Sequence, residues 1–332
     1  MTARESDLVT LPGTGVSVTR VAFGGHPVGG HGWGVARDDQ RSRMALRTAV
    51  ESGVTFFDTA DVYGLGVSEV IHAEVLGPYL RTGENIVVAT KGGVAWDDFG
   101  RTRRDSSAKH LRRAVEDSLA RLRVDCIDLY YLHWPDGVTP VAESVEELSR
   151  LREEGKIRTI GLSNVTADEL LSSADAGIAA VQVKGNLLQL DDLLGQLEAV
   201  RRTGALVVCY SGLADGLLTG RIGSDSEFTG DDHRARYPLF QPGVFQDALD
   251  RVQLVVDAAR SLGRTPAQVA QRCLLDAGIA DAVLVGSSRP EHVQENAGAM
   301  GWTIPDHTMN ALLNSVPLSP HLVEGDESAG GG

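Results

Sequence analysis

The fold is decided by the stretch DTADVYG at residues 58–64 and by three further stretches of the same kind. These are ATKG at 89–92, LYYLHWP at 129–135 and GLSN at 161–164. In each of them an apolar run ends abruptly at a polar or ionisable side chain. Parallel barrels place side chains at their mouth in this way, because the loops after the strands hold the chemistry. The stretches therefore predict strand ends that meet at one face of a barrel.

Apolar runs and helical segments alternate along the chain. Near-continuous apolar runs, typical of parallel strands buried on both faces, fall at 18–23, 54–59, 86–91, 127–133, 159–163, 180–183, 206–211 and 282–287. Segments with helical spacing lie between them, at 41–51, 69–80, 108–122, 145–154, 167–174, 193–203 and 247–262. The alternation predicts an α/β fold, a single-domain (β/α)8 TIM barrel over residues 1–323, with a disordered acidic and Gly-rich tail at 324–332.

A doubly wound sheet is the structural alternative. It would need a glycine-rich turn that leads from the first strand directly into a helix. Residues 24–30 are rich in glycine, but Pro27 and the long run to Arg41 fit such a turn poorly. The stretches 24–34, 92–107 and 212–246 exceed ordinary connectors, and we expect functional loops without regular structure there.

Composition and charge limit the classes of partner. The formal net charge of -14 at pH 7 argues against nucleic acid and anionic membranes, which attract a basic face. No apolar run approaches the roughly 20 residues of a membrane span, and residues 1–10 show no secretory signal. The 3 cysteines fit neither a metal site nor a disulfide framework. We expect a soluble cytoplasmic protein without a metal, and a homo-oligomer is compatible with the sequence.

The polar residues at the predicted strand ends form a proton-donating cluster. Asp58 and Lys91 end neighbouring strands, and a lysine at a buried strand end needs an anionic partner. Tyr63 lies in the loop between them, where an ammonium is expected to lower the pKa of its phenol from about 10. His133 ends the next strand and can hydrogen-bond a substrate oxygen. Together they suit proton donation to a carbonyl oxygen while a hydride attacks the carbonyl carbon.

The sequence resembles the aldo-keto reductase superfamily over nearly its whole length. The resemblance rests on FDTADVYG at 57–64 followed by Ser68 and Glu69, and on the segments around Lys91 and His133. It implies an NAD(P)H-dependent oxidoreductase that reduces a small-molecule aldehyde or ketone to an alcohol. It also implies that the four catalytic places of the family are taken by Asp58, Tyr63, Lys91 and His133, with Tyr63 as the general acid.

The resemblance further implies a nicotinamide cofactor, NADPH with NADH as the alternative, held without a Gly-x-Gly-x-x-Gly turn. A strand-to-helix turn rich in Gly and Ser suits its phosphate, since free backbone N–H groups point outward there. The residues that would hold the cofactor are Gly25 and Asp58; Ser163, Asn164 and Gln182 at the carboxamide; Tyr210 against the ring; Ser211 and Leu213 near the pyrophosphate; Gly220 and Arg221 in a covering loop; and Gly286, Ser288, Arg289, His292, Glu295 and Asn296 at the adenosine phosphate.

Three positions or pairs depart from the pattern of the family. Gly286 stands where some relatives carry lysine and His292 where some carry arginine, so the NADPH preference rests on Arg289 and the serine hydroxyls. Gly185 replaces a frequent aromatic and Gly212 replaces a frequent proline. These two changes predict an altered shape around the nicotinamide ring and the substrate pocket.

Several alternatives stay open at this level. His26, Trp33, Trp96 and Trp134 follow strand ends, where they would either line a substrate pocket or pack the loops. A reductase of a sugar or natural-product carbonyl or enone in a biosynthetic pathway fits the same residues. So does a cofactor-sensing regulatory subunit similar to the potassium-channel β-subunit branch of the superfamily. A metal-dependent barrel hydrolase is disfavoured, because Lys91 would lie in the way of the ion.

Overall fold

The computed structural model describes residues 4–30, 37–229 and 232–318. Its centre is a closed barrel of eight parallel strands with helices between them. The fold is therefore a (β/α)8 TIM barrel, as the alternation of segments predicts, and not a doubly wound sheet. The predicted tail at 324–332 and Trp33 lie outside the described residues.

The strands of the described residues alternate between the barrel and two small hairpins. In chain order they are β1 Leu8–Thr10, β2 Ser17–Thr19, β3 Val21–Gly24, β4 Phe56–Asp58, β5 Val87–Gly92, β6 Val94–Trp96, β7 Thr102–Arg104, β8 Ile127–Leu132, β9 Ile157–Ser163, β10 Ile178–Lys184, β11 Leu206–Tyr210 and β12 Ala282–Val285. The barrel runs β3-β4-β5-β8-β9-β10-β11-β12, and β12 pairs with β3 to close it. Each predicted strand overlaps one strand of the barrel.

The helices lie outside the barrel with their apolar faces against it. They are α1 His26–Gly29, α2 Asp39–Glu51, α3 Val67–Arg81, α4 Ala108–Leu122, α5 Val141–Glu153, α6 Ala167–Ser172, α7 Asp191–Thr203, α8 Phe245–Leu262, α9 Pro266–Asp276, α10 Pro290–Ala297 and α11 Asp306–Ser315. Thr166 and Thr265 start their helices with reciprocal side-chain and backbone hydrogen bonds, as expected for capping boxes. The predicted helical segments are confirmed. Two helices were not predicted: α11, and α1 inside the stretch 24–34 that was expected to lack regular structure.

One prediction about a strand and one about a loop are wrong. The run 18–23 is not one strand, because β2 pairs with β1 and only β3 enters the barrel. Arg20 separates them, since its backbone N–H donates to the carbonyl of Asp7 at 2.8 Å and its guanidinium donates to the carbonyls of Leu275 and Ala280. The loop 92–107 is not without structure either, because β6 and β7 pair in it as an antiparallel hairpin.

The barrel interior is filled with side chains. Phe56, Leu129 and Tyr131 belong to one buried cluster that also contains Leu11 and Val18 from the β1–β2 segment. That segment precedes β3, so its apolar residues close the amino end of the barrel. The carboxyl ends of the strands are left to carry the polar residues.

A buried ion cluster joins Asp7, which precedes β1, to α9. Arg272 of α9 is 1% exposed and donates to Asp7 at 2.9 Å as well as to Asp276. Asp7 also accepts from the backbone N–H of Gly301 at 2.8 Å. A charge buried this completely is tolerated only where it is paired, and both carboxylates pair with this guanidinium.

Two negative findings concern only the ranges that the structure describes. No helix there is long and apolar enough to cross a membrane. No group of three or more His, Cys, Asp or Glu side chains there is arranged to hold a metal ion.

Candidate active site

Asp58 at the end of β4 and Lys91 in β5 form an ion pair inside the mouth of the barrel. The ammonium also donates to the carbonyl of Thr59 at 2.7 Å, and the second carboxylate oxygen accepts from Nε2 of Gln182 at 2.5 Å. Lys91 is 1% exposed and Asp58 is 2% exposed. The pairing expected from neighbouring strand ends is therefore present, and it is removed from water.

Burial acts on both members of this pair against their charged forms. Burial raises the pKa of Asp58, and the nearby ammonium of Lys91 and amide of Gln182 oppose the rise. Burial likewise lowers the pKa of Lys91, and the charges of Asp58, Asp61 and Glu69 oppose the fall. Each charge is therefore kept by the other one, as for any ion pair taken out of water.

Tyr63 lies in the loop after β4 and approaches both Lys91 and His133. The ammonium of Lys91 is 5.0 Å from the centroid of its ring, and the His133 ring lies edge-on at 5.7 Å. The loop lies so close to α1 that a Cβ atom on Gly64 would be 2.6 Å from the carbonyl oxygen of Gly29. Gly64 also has φ of +61°, so glycine is needed there for two reasons.

The pKa of Tyr63 is raised, which is opposite to the expected direction. The residue is partly exposed, but enclosure of its hydroxyl end raises the pKa of the phenol most, and the charges of Asp58 and Asp61 raise it further. The ammonium of Lys91 does not outweigh them, because Asp58 neutralises it at close range. The Tyr63 phenol is therefore protonated at neutral pH.

His133 follows β8 and presents a neutral imidazole. Burial lowers its pKa well below the usual range, and the charges of Lys91, His26 and Arg104 add to this effect. Its backbone is fixed on two sides: its N–H donates to the carbonyl of Gly92 at 2.8 Å, and its own carbonyl accepts from Asn164 at 2.9 Å. Its Nδ1 atom is buried and has no hydrogen-bond partner among the described residues.

The residues predicted at the carboxamide end of the cofactor form one hydrogen-bonded group. The amide of Asn164 donates to Ser163 at 3.0 Å, and its oxygen accepts from the hydroxyl of Tyr210 at 2.7 Å. Gln182 binds Asp58, which joins this group to the ion pair. The ends of β9, β10 and β11 thus place these side chains next to the catalytic candidates.

The two unusual glycines after β10 and β11 lie where side chains would collide. A Cβ atom on Gly212 would be 2.4 Å from the Cγ1 atom of Val283, and one on Gly185 would be 2.8 Å from the side chain of Leu193. The structure therefore explains both departures by local packing. Ser211 next to Gly212 bonds Asp215 at 3.3 Å.

A second pair of glycines lies where the Gly- and Ser-rich turn after β12 approaches the loop after β3. A Cβ atom on Gly286 would lie 2.3 Å from the carbonyl oxygen of Gly24, and one on Gly25 would lie 2.7 Å from the carbonyl oxygen of Asp58. The ends of β12, β3 and β4 therefore approach more closely than residues with side chains allow. Gly286 itself is exposed, so its backbone is open to a ligand.

The predicted adenosine-phosphate end carries three basic side chains around α10. Arg221 pairs with Glu295 across the surface, and Gly220 before it has φ of +69°. Burial lowers the pKa of His292, and the charges of Arg221 and Arg289 lower it further. The other predicted residues at this end are Ser288, which is half-buried, and Asn296, which is buried; Leu213 lies half-buried after β11.

The sequence named His26 near the mouth but missed His233 and Tyr237. His26 lies 4.9 Å from the Tyr63 ring and 6.3 Å from the His233 ring, and His233 lies 4.7 Å from the Tyr237 ring. His233 begins a short 3-10 segment inside 212–246, and Tyr237 lies between that segment and the next one. The sequence presented this stretch as an irregular loop. Trp134 is covered by the guanidinium of Arg104 at 4.2 Å, so it packs against the β6–β7 hairpin.

The described residues bring a protonated phenol, an ammonium–carboxylate pair and a neutral imidazole to one point of the barrel mouth. Such a set can give a proton to an oxygen atom and then stabilise the phenolate that remains. Glycines whose backbones approach closely border the same point. This combination suits the reduction of a polarised double bond in the presence of an extended cofactor.

Comparison with known proteins agrees with this geometry. The model of the aldo/keto reductase family matches residues 20–315. An aldo-keto reductase of Schizosaccharomyces pombe named yakc [NADP(+)] is 32% identical over 282 residues, which are 82% of each chain. The NADH-specific methylglyoxal reductase of Escherichia coli is 31% identical, over 90% of this chain and 94% of that protein.

A solved structure extends the likeness to three dimensions. The glycerol dehydrogenase AKR11B4 from Gluconobacter oxydans is 33% identical, with a TM-score of 0.86 over 96% of this chain and 99% of that one. The family match covers most of the chain, and the relatives are named as reductases and a dehydrogenase. The protein therefore belongs to the aldo/keto reductase family and is an oxidoreductase that acts on carbonyl or alcohol groups.

Proposed function

We propose that this protein reduces the carbonyl group of a small aldehyde or ketone with a reduced nicotinamide cofactor, and that Tyr63 is its general acid. The observation that carries this proposal is the position of the Tyr63 ring, whose centroid lies 5.0 Å from the Lys91 ammonium and 5.7 Å from the centroid of the His133 ring. A general acid must hold its proton at the working pH, and a phenol does so at neutral pH. Because the pKa of Tyr63 is raised, the adjacent ammonium has to favour the phenolate for the proton to leave.

The residues present fit a nicotinamide cofactor. The close approach of Gly24 and Gly286 leaves an exposed backbone turn at the start of α10, where N–H groups can bind phosphate. Asn164 and Gln182 offer amide groups for the carboxamide, and the Tyr210 ring offers a flat face. When bound, the cofactor supplies the hydride that reduces the carbonyl carbon.

The proton is handled by the residues of this chain. Tyr63 gives its hydroxyl proton to the carbonyl oxygen, and the phenolate that forms lies beside the Lys91 ammonium. Asp58 keeps that ammonium charged and in place. His133 is neutral, so it can hydrogen-bond the substrate oxygen without adding a positive charge. Enclosure of the site strengthens each of these interactions relative to water.

The preferred cofactor is the finer part of the proposal. Arg221, Arg289 and His292 lie at the predicted phosphate end and favour NADPH. The relatives include one named for NADP(+) and one named as NADH-specific, so NADH stays the alternative. Because one of the similar solved structures is a glycerol dehydrogenase, oxidation of alcohols should be assayed as well. In that reverse reaction the group that acts as the acid would act as the base.

Replacement of Tyr63 by phenylalanine tests the proposal. We expect turnover of a panel of aldehydes and ketones to fall by about 10²–10⁴-fold, since that is what a general acid contributes. The affinity for NADPH and NADH, followed by tryptophan fluorescence, should stay unchanged. Tyr79→Phe in α3, away from the mouth, is the matched control and should keep full turnover. Full turnover in Tyr63→Phe, or no binding of either cofactor to the wild-type protein, contradicts the proposal.

A further inference from the structure

A second buried ion pair lies behind the catalytic candidates. Glu69 of α3 is fully buried, and its Oε2 atom accepts from Nε of Arg121 in α4 at 2.5 Å. Its Oε1 atom accepts from the hydroxyl of Thr90 at 2.6 Å. Thr90 directly precedes Lys91 in β5. Glu69 is therefore bonded to the residue that carries the ammonium into the mouth of the barrel.

The preceding residue, Ser68, makes the same kind of connection to β4. Its hydroxyl donates to the carbonyl of Gly25 at 3.0 Å and accepts from the hydroxyl of Thr59 at 2.8 Å. Thr59 follows Asp58, and its carbonyl accepts from the Lys91 ammonium. The first turn of α3 thus fixes the neighbours of both Asp58 and Lys91.

We propose that Glu69, neutralised on its outer side by Arg121, is a positioning residue that holds Lys91 in place and in its charged form. This inference deepens the proposed function and rests on it. Glu69 does not touch the reacting atoms, so it acts through Thr90 and through its charge. The ion pair with Arg121 compensates the burial of the Glu69 carboxylate. The positive charge of Arg121 also weakens the attraction between Glu69 and the Lys91 ammonium.

The charges that face this region form a nearly balanced set. Lys91 faces the carboxyl groups of Asp58, Asp61 and Glu69, and the charge of Glu69 is among those that oppose the fall of the Lys91 pKa. Burial and the charge of Glu69 raise the pKa of Asp61 well above its usual range, which favours its uncharged form. Other groups that face the set are Tyr63, His72, Tyr130, Tyr131 and His133, all with pKa values shifted toward the neutral form.

The consequence for the reaction follows from the balance of charge. If Lys91 lost its proton, the Asp58 carboxylate would remain alone beside the phenolate that Tyr63 forms. Like charges at short range disfavour each other, so proton donation would become harder. A carboxylate at position 69 extends the pH range in which the ammonium survives burial.

Titration of the lysine side chains by NMR tests this directly, because the chain has only four lysines, at 91, 109, 156 and 184. Protein labelled with 13C at lysine Cε would be compared as wild type, Glu69→Gln, Arg121→Met and the double variant. We expect Glu69→Gln to lower the Lys91 midpoint by about one pH unit or more and Arg121→Met to raise it. The double variant should return close to wild type, since both charges are gone.

Turnover gives the second readout. The alkaline limb of kcat should move in the same direction as the Lys91 midpoint in each variant, with cofactor affinity unchanged. Glu154→Gln, which breaks an exposed pair with Arg112, is the control and should move neither. If Glu69→Gln does not fold, Arg121→Met and the double variant still give the predicted opposite sign and recovery.

Two results separate this inference from the proposed function. A Lys91 midpoint that stays fixed in Arg121→Met and in Glu69→Gln overturns the inference, even if turnover falls through a structural effect. A wild-type protein that binds neither nicotinamide cofactor overturns the proposed function, and the NMR titration then still decides whether Glu69 sets the charge of Lys91.

Discussion

We expect the buried ion pair of Asp58 and Lys91 to lower the free energy of unfolding, and we expect removal of both charges to restore it. The perturbation is the double variant Asp58→Asn, Lys91→Met, compared with each single variant. Both side chains are buried, at 3% and 1% exposure, so this pair belongs to the class whose desolvation cost competes with its attraction. We expect the double variant to lose turnover and to keep or gain stability.

The magnitude follows from that class of ion pair. Removing one partner leaves an uncompensated buried charge, which costs about 3–5 kcal/mol, whereas replacing both by neutral groups is often neutral or stabilising by about 1–4 kcal/mol. With about 2.1 cal/mol/K per residue, 332 residues have an unfolding entropy near 0.7 kcal/mol/K. A loss of 4 kcal/mol in Lys91→Met or Asp58→Asn would then lower Tm by about 6 °C.

The pKa directions give the pH dependence of the difference. Asp58 has a raised pKa in the folded protein, so its contribution to stability is present below the unfolded pKa and is lost as pH rises through the folded value. Lys91 has a lowered pKa, so its contribution is present above the unfolded pKa and is lost as pH falls through the folded value. The double variant should therefore gain most between the two folded pKa values.

Urea denaturation at neutral pH measures this, with the midpoint compared at unchanged m. Tryptophan fluorescence and circular dichroism should report the same transition. A double variant that is destabilised by as much as the worse single variant would refute the reasoning, because the pair would then be a net source of stability. In that outcome, stability alone would explain why the protein keeps this ion pair, and no functional reason would be needed.

The remaining predictions concern the buried ion pair of Asp7 with Arg272 and the preference between the two cofactors. Asp7→Ala should lower the free energy of unfolding by about 3–5 kcal/mol, because it leaves the buried Arg272 with one carboxylate, and urea denaturation measures the loss. The ratio of NADPH to NADH affinity should depend on pH in the acidic range, where the His292 imidazole, whose pKa is lowered, takes up a proton and can pair with the 2′-phosphate. His292→Arg should give a ratio about fivefold higher at pH 7 and less dependent on pH, measured by fluorescence titration; an unchanged ratio would place the cofactor phosphate away from His292.

The barrel and the candidate catalytic residues could be predicted because each signal is local. An apolar run that ends in Asp58, Lys91 or His133 fixes both the strand and the end at which the side chain lies. Parallel strands then bring those ends together without any knowledge of the loops. The residues at the predicted carboxamide end came instead from the resemblance to the family, although Ser163 and Gln182 also end strands or lie near their ends.

The loops could not be predicted for the opposite reason. β6 and β7 are three residues each and contain Trp96 and Arg103, so neither length nor apolar alternation distinguishes them from a coil. His233 and Tyr237 reach the mouth only through 3-10 turns far along the chain from Tyr63. Contacts of that kind depend on loop conformation, which no local pattern encodes.

The pKa of Tyr63 shows what a sequence leaves out even where the residues are right. The sequence places a lysine near a tyrosine, and an ammonium alone would lower the pKa of a phenol. The structure adds enclosure and the Asp58 carboxylate, which together reverse the direction. Lys91 is already neutralised by Asp58 in the resting site, so its effect is felt once Tyr63 has given up its proton. In the proposed reaction, the site would keep this phenol protonated beforehand and stabilise the phenolate only as it forms, which is where an interaction accelerates a reaction.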